Sequence, residues 1–123
     1  MIPRYISKMK VSDYLGYNYY QKIKKYIDGK VVLDVGCAYS KVALSNNRRV
    51  WNHWFIQQTA KKTVGIDIDK ISIIKMKKMG FNVFEMSAEE INFKQKFDII
   101  FAGELIEHLS NPGLFLKSAK KVL

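Results

Sequence analysis

The chain has 123 residues, 48% of them hydrophobic and 13% aromatic, and carries a formal net charge of +10. That length suits one domain around one core, and the composition excludes a disordered or fibrous chain. Cys37 is the sole cysteine, which excludes an internal disulfide, and no apolar run approaches the roughly 20 residues of a membrane span. The opening MIPRYISKMK lacks the apolar block of a secretory signal, so a cytoplasmic protein is expected.

Residues 11–28 place Tyr19, Ile23, Tyr26 and Ile27 at helical spacing, with Ser12 or Asp13 as start and Asp28-Gly29 as stop. This predicts a helical lead-in over residues 1–29. Lys30 to Val35 is a β-branched run, the mark of a strand buried on both faces. Val42, Ala43 and Leu44 start a short helical pattern that Asn46 to Arg49 interrupts. Residues 51–62 read as a helix with Trp51, Trp54, Phe55 and Gln58 at its spacing.

Thr63 to Ile68 is the second strand. Asp69 then caps a helix through Lys78, with an apolar stripe of Ile71, Ile74 and Met79 and with Gly80 as its stop. Residues 81–86 alternate as a third strand, 87–93 form a loop with one helical turn, and 96–102 read as a fourth, buried strand. A short helix is expected from Glu104 to Leu109. Asn111-Pro112 starts the last helix, with Leu114, Phe115, Lys117, Ser118 and Val122 along it. Alternating strands and helices predict an α/β fold: a Rossmann-like, doubly wound parallel sheet in three layers. A further strand is expected beyond residue 123, since the fourth is too apolar for an open edge, so the sheet reads as incomplete on its C-terminal side. A second copy of the chain covering that edge is the other arrangement expected to shield it.

In open α/β sheets, ligands lie beyond the carboxyl ends of the strands. The chemistry-bearing residues gather there: Gly36 after the first strand, Asp67 after the second, Ser87-Ala88-Glu89 after the third and Ala102-Gly103-Glu104 after the fourth. A small-residue turn brings bare backbone to a ligand, and a carboxylate at the next tip accepts hydrogen bonds from a sugar diol. The dinucleotide template G-x-G-x-x-G fails, because positions 38 and 41 hold Ala and Lys. A nicotinamide-dependent dehydrogenase is therefore disfavoured.

VLDVGCAYS, VGIDID, SAEEINF and the block from Phe97 to Leu123 together resemble the class I S-adenosylmethionine-dependent methyltransferases, over about residues 30 to 123. The resemblance implies that residues 30–123 are the N-terminal part of a cofactor-binding Rossmann-like domain. It also implies roles. Asp34 and the backbone of Gly36, Cys37 and Ala38 would flank the amino-acid portion of S-adenosylmethionine, Asp67 would take the ribose hydroxyls, and Ile68 would pack on the adenine. Ser87, Ala88 and Glu89 match the loop that meets the adenine edge, and Ala102 and Gly103 would lie near the reactive methyl. Glu104 is a carboxylate for the cationic sulfonium, and His108, beside Glu107, is the expected general base for a hydroxyl nucleophile. The structural alternative for Glu107 and His108 is to hold the short helix against the sheet.

Three positions depart from the family pattern: Ala38 and Ser40 stand where glycine is usual, and Ser87 where an acidic residue is common. The stretch from Gly36 to Asp67 also exceeds the roughly 20 residues of dinucleotide folds. His53 between Trp51 and Trp54 reads as part of a packing cluster with its imidazole at the rim, and Cys37 as packing at the turn. Two histidines without ligand spacing predict no metal site. The acceptor is expected to be a small molecule or a glycan or lipid. The alternatives are a non-catalytic cofactor-binding or interaction module and, more remotely, a nucleic-acid methyltransferase. The lysines, grouped at 22–25, 75–78 and 117–121, read as solvated helix faces first and as a weak polyanion or membrane-surface contact second.

Overall fold

A computed structural model of the chain describes residues 21–38, 52–103, 105 and 108–123. Four strands, β1 (Val31–Val35), β2 (Lys62–Asp67), β3 (Val83–Glu85) and β4 (Ile99–Phe101), form one parallel sheet in the order β3-β2-β1-β4. The two β-branched runs, β1 and β2, take the centre, where both faces are covered. Their register sets Asp34 opposite Gly65 and Val35 opposite Ile66, while β4 sets Phe101 opposite Asp34.

Among the described residues the α-helices are α1 (residues 21–27), α2 (Asn52–Thr59), α3 (Lys70–Lys78) and α4 (Pro112–Lys120). Alternate residues of each strand point to opposite faces, and the core divides accordingly. Leu33, Val35, Val64 and Ile66 pack with Phe115, Ala119 and Val122 of the α4 side. Val32 packs on the other face with Ile27 and Ile56, and Val83 with Ile73 and Met76. The result is the expected three-layered Rossmann-like sheet.

Local signals set the helix ends. Residues 21–27 are helical, and Gly29 at φ 71° turns the chain toward β1. The Asp69 carboxylate caps α3, with Oδ1 accepting from the Ser72 amide at 3.3 Å and Oδ2 from the Ser72 hydroxyl at 2.8 Å. Asn111 caps α4 through the Leu114 amide at 3.2 Å, with Pro112 in the first turn. The lysines at 75, 77 and 78 and at 117 and 120 occupy the last turns of α3 and α4, where cations offset the helix dipole.

Four expectations need correction. The buried face of α3 is Ser72, Ile73 and Met76; of the expected stripe of Ile71, Ile74 and Met79, Ile71 and Ile74 are exposed and Met79 is half-buried against the core. The run offers two apolar faces, and packing against Phe81 and Val83 takes the second. The second helix ends at Thr59 rather than 62, since Ala60 bridges to Asp28 and Lys62 already belongs to β2. Strand β4 is half-buried rather than buried, because among the described residues it pairs on one side only, with β1. Gln58 is exposed, and α2 buries His53, Phe55 and Ile56 instead. Ser12, Asp13, Tyr19, the 42–49 stretch and Trp51 lie outside the described residues.

Candidate functional site

The turn after β1 is made by the residue types its geometry demands. Gly36 adopts φ 75°, a left-handed conformation that other residues enter at a cost. Its amide and that of Cys37 both donate to the Ile66 carbonyl, at 2.9 and 3.0 Å, which pins the turn to the neighbouring strand. The amide of Ala38 donates to Asp67 Oδ2 at 3.0 Å. Asp67 Oδ1 accepts from the Asp69 amide at 2.8 Å. One carboxylate thereby joins the tips of β1 and β2. A carboxylate has about four acceptor positions, so two backbone bonds leave capacity for a diol.

Beside Asp67, Ile68 is 75% exposed at the strand tip, an apolar surface of the kind a flat aromatic base would cover. At the tip of β3, Ser87 accepts the Glu89 amide at 3.1 Å and caps the 3-10 turn Ala88–Glu90, with Ala88 buried. Glu89 Oε1 accepts from the Asn111 amide at 2.7 Å, fastening this loop to the start of α4. At the tip of β4, Ala102 is half-buried and Gly103 exposed. A Cβ on Gly36 would lie 3.1 Å from Leu105 Cδ1, so the Leu105 side chain lies against the β1 turn.

His108 is exposed, and its amide donates to the Leu105 carbonyl at 2.9 Å. Glu104 and Glu107 lie outside the described residues, as does Ser40. Among the described residues no group of three or more His, Cys, Asp or Glu is placed to hold a metal ion, and no helix is long and apolar enough to cross a membrane.

Beneath the turn lies a feature the sequence reading missed. Asp34 is 3% exposed and His53 1%, with His53 Nδ1 2.8 Å from Asp34 Oδ2. Asp34 occupies the face of β1 that Val32 shares, where a carboxylate needs a partner. Burial raises the Asp34 carboxyl above its ordinary range, and the hydrogen bond and charge of His53 oppose that rise. Gly65, opposite Asp34 in register, provides the room: a Cβ there would meet Cys37 Sγ at 2.7 Å and His53 Cε1 at 2.8 Å. The imidazole is therefore in the interior, edge-on to Phe81 at 5.4 Å, and not at the rim. The Cys37 thiol is buried, and burial pushes its pKa far upward, with Asp34 and Asp67 adding to the effect. It packs, and stays protonated.

A family model described as a methyltransferase domain matches residues 27–123. An N-methyltransferase of Papaver somniferum is 27% identical over 94 residues, which span 73% of this chain and 26% of that protein. A solved plantazolicin methyltransferase, in complex with a triazolic desmethyl analogue and S-adenosylhomocysteine, is 25% identical with a TM-score of 0.56, covering 91% of this chain and 41% of its own. A SAM-dependent methyltransferase of Thermotoga maritima shares the fold at a TM-score of 0.64 and 18% identity, covering 89% of this chain and 46% of its own. The chain thus spans about a quarter of the curated relative and less than half of either structure.

Proposed function

The chain belongs to the class I S-adenosylmethionine-dependent methyltransferases, whose domain model matches residues 27–123, and on that footing we propose that its strand-tip pocket holds S-adenosylmethionine for methyl transfer to a small-molecule acceptor. The observation that carries this reading is Asp67. Its carboxylate is tied by backbone amides to both central strand tips, with acceptor positions left over, beside the exposed Ile68.

In this reading Asp67 takes the ribose hydroxyls and Ile68 covers one face of the adenine. Ala88 and Glu89 border the adenine edge from a loop stiffened by Ser87 and Asn111. Gly36, Cys37 and Ala38 offer backbone to the amino-acid portion, with Asp34 supplying negative charge from below. Ala102 and Gly103 flank the place where acceptor and cofactor meet. When bound, the cofactor supplies an electrophilic methyl on a cationic sulfur. The chain's contribution is to hold donor and acceptor in line, a large part of the rate for a displacement of this kind. His108, exposed beyond β4, is the group we assign to receive the acceptor's proton, and by its place in the sequence Glu104 is the further carboxylate we assign to the sulfonium.

The curated relative named for N-methylation makes amines the first acceptors to try, ahead of sugar or lipid hydroxyls. Calorimetric titration of the 123-residue chain with S-adenosylhomocysteine tests the cofactor half of the reading. Saturable binding near one site per chain supports it. Absence of binding by a folded preparation would overturn it.

A further inference from the structure

The Asp34–His53 pair is built more elaborately than packing requires. A carboxylate on an inward position of a central strand is a cost to the fold unless something compensates it. Here three elements converge on it: α2 brings His53, β2 leaves out a side chain at Gly65, and Phe81 stands edge-on behind the imidazole. Asp34 is the last residue but one of β1, immediately before the Gly36 turn. The other ionisable groups that act on it, among the described residues, are Asp67 at the tip of β2 and the Cys37 thiol in the turn. β4 contributes Phe101, opposite Asp34, which is not ionisable.

We propose that His53 is a positioning residue for the cofactor turn. Its Nδ1 orients the Asp34 carboxylate and keeps it anionic beneath Gly36–Ala38, so that the pocket favours a cationic ligand. The inference rests on the cofactor reading above and extends it to a specific discrimination. S-adenosylmethionine carries a sulfonium charge, and S-adenosylhomocysteine, its demethylated product, does not. A buried anion under the turn therefore favours donor over product. As pH falls, protonation of Asp34, whose carboxyl burial holds above its ordinary value, shrinks the preference.

The structure also suggests variants that separate this role from simple packing. His53→Phe keeps a ring against Phe81 and removes the donor. His53→Asn puts an amide N–H close to the place of Nδ1. Affinities for S-adenosylmethionine and S-adenosylhomocysteine are measured on the 123-residue chain and both variants, from pH 5 to 8, with a thermal melt for each. In the parent chain the ratio of the two affinities should rise with pH. In His53→Phe it should fall roughly tenfold at pH 7.5, the size of a charge–charge term across about 12 Å at an effective dielectric near 20. In His53→Asn it should hold near the parent value at that pH.

A ratio that is flat with pH in the parent chain would overturn the proposal, even with both ligands bound. So would equal ratios in the two variants. If neither variant folds, the parent profile alone decides. Binding of neither ligand by the folded parent overturns the cofactor reading itself, and this inference with it.

Discussion

The amide of Ala38 and the carboxylate of Asp67 meet at 3.0 Å across the tips of β1 and β2. This bond couples the turn to the residue assigned to the ribose, so loss of the carboxylate acts on both. Asp67→Asn keeps one acceptor oxygen and loses the charge; Asp67→Ala also leaves the Ala38 and Asp69 amides without their acceptor. Both variants should weaken S-adenosylhomocysteine by roughly tenfold to a hundredfold, the size of a lost hydrogen bond to a charged group. Only Asp67→Ala should also lower the melting temperature appreciably. Calorimetry and a thermal melt together separate the two effects.

Glycine substitutions should rank by what surrounds them. Gly36→Ala forces a left-handed conformation on a residue with a side chain, at about 1–2 kcal/mol, while its new methyl meets only the flexible end of Leu105. Gly65→Ala sets a methyl against Cys37 and His53 in a buried layer, and overpacking of that kind costs roughly 1–3 kcal/mol. It should also disturb the Asp34–His53 pair. Urea unfolding gives the stabilities, and Gly65→Ala alone should change the pH dependence of ligand binding.

Cys37 should resist thiol reagents. Its thiol is buried and its pKa lies far above the ordinary value, first through burial and then through Asp34 and Asp67. Reaction with a disulfide reagent at pH 7.5 should therefore be slow in the folded chain and fast in denaturant. A rapid reaction of native protein would contradict the packing described here.

Asp34 gives a signed pH prediction. Its carboxyl is held above the ordinary value of 3.8, chiefly by burial. The folded chain therefore binds this proton more readily than the unfolded chain. The stability associated with that proton is fully present below the unfolded value and is lost as pH rises through the folded one. Asp34→Asn removes the charge while keeping an acceptor for His53. It should match or exceed the parent in stability at pH 7, with the gap narrowing as pH falls toward 4. On the reading above, it should at the same time lose preference for S-adenosylmethionine.

Much of this was visible in the sequence, for physical reasons. Central parallel strands are buried on both faces, so β1 and β2 announce themselves as β-branched runs, and Asp69 and Asn111 cap the helices that follow them. Gly36 and Asp67 could be singled out because strand tips are where such sheets hold ligands. The buried face of α3 is not legible from periodicity, because Ile71, Ile73, Ile74 and Met76 furnish two apolar stripes and tertiary contact chooses between them. The Asp34–His53 pair was out of reach for a different reason. It depends on the register that sets Gly65 beside Asp34 and on how α2 docks against the sheet, neither of which periodicity encodes.

On the proposed reading, four strand tips form one pocket for S-adenosylmethionine. Backbone amide shifts of the isotopically labelled chain during titration with S-adenosylhomocysteine would map that pocket residue by residue. The largest changes should fall together at Gly36–Ala38, Asp67–Asp69, Ala88–Glu89 and Ala102–Gly103. Changes centred on the lysines of α3 and α4, or none at saturating ligand, would contradict the account.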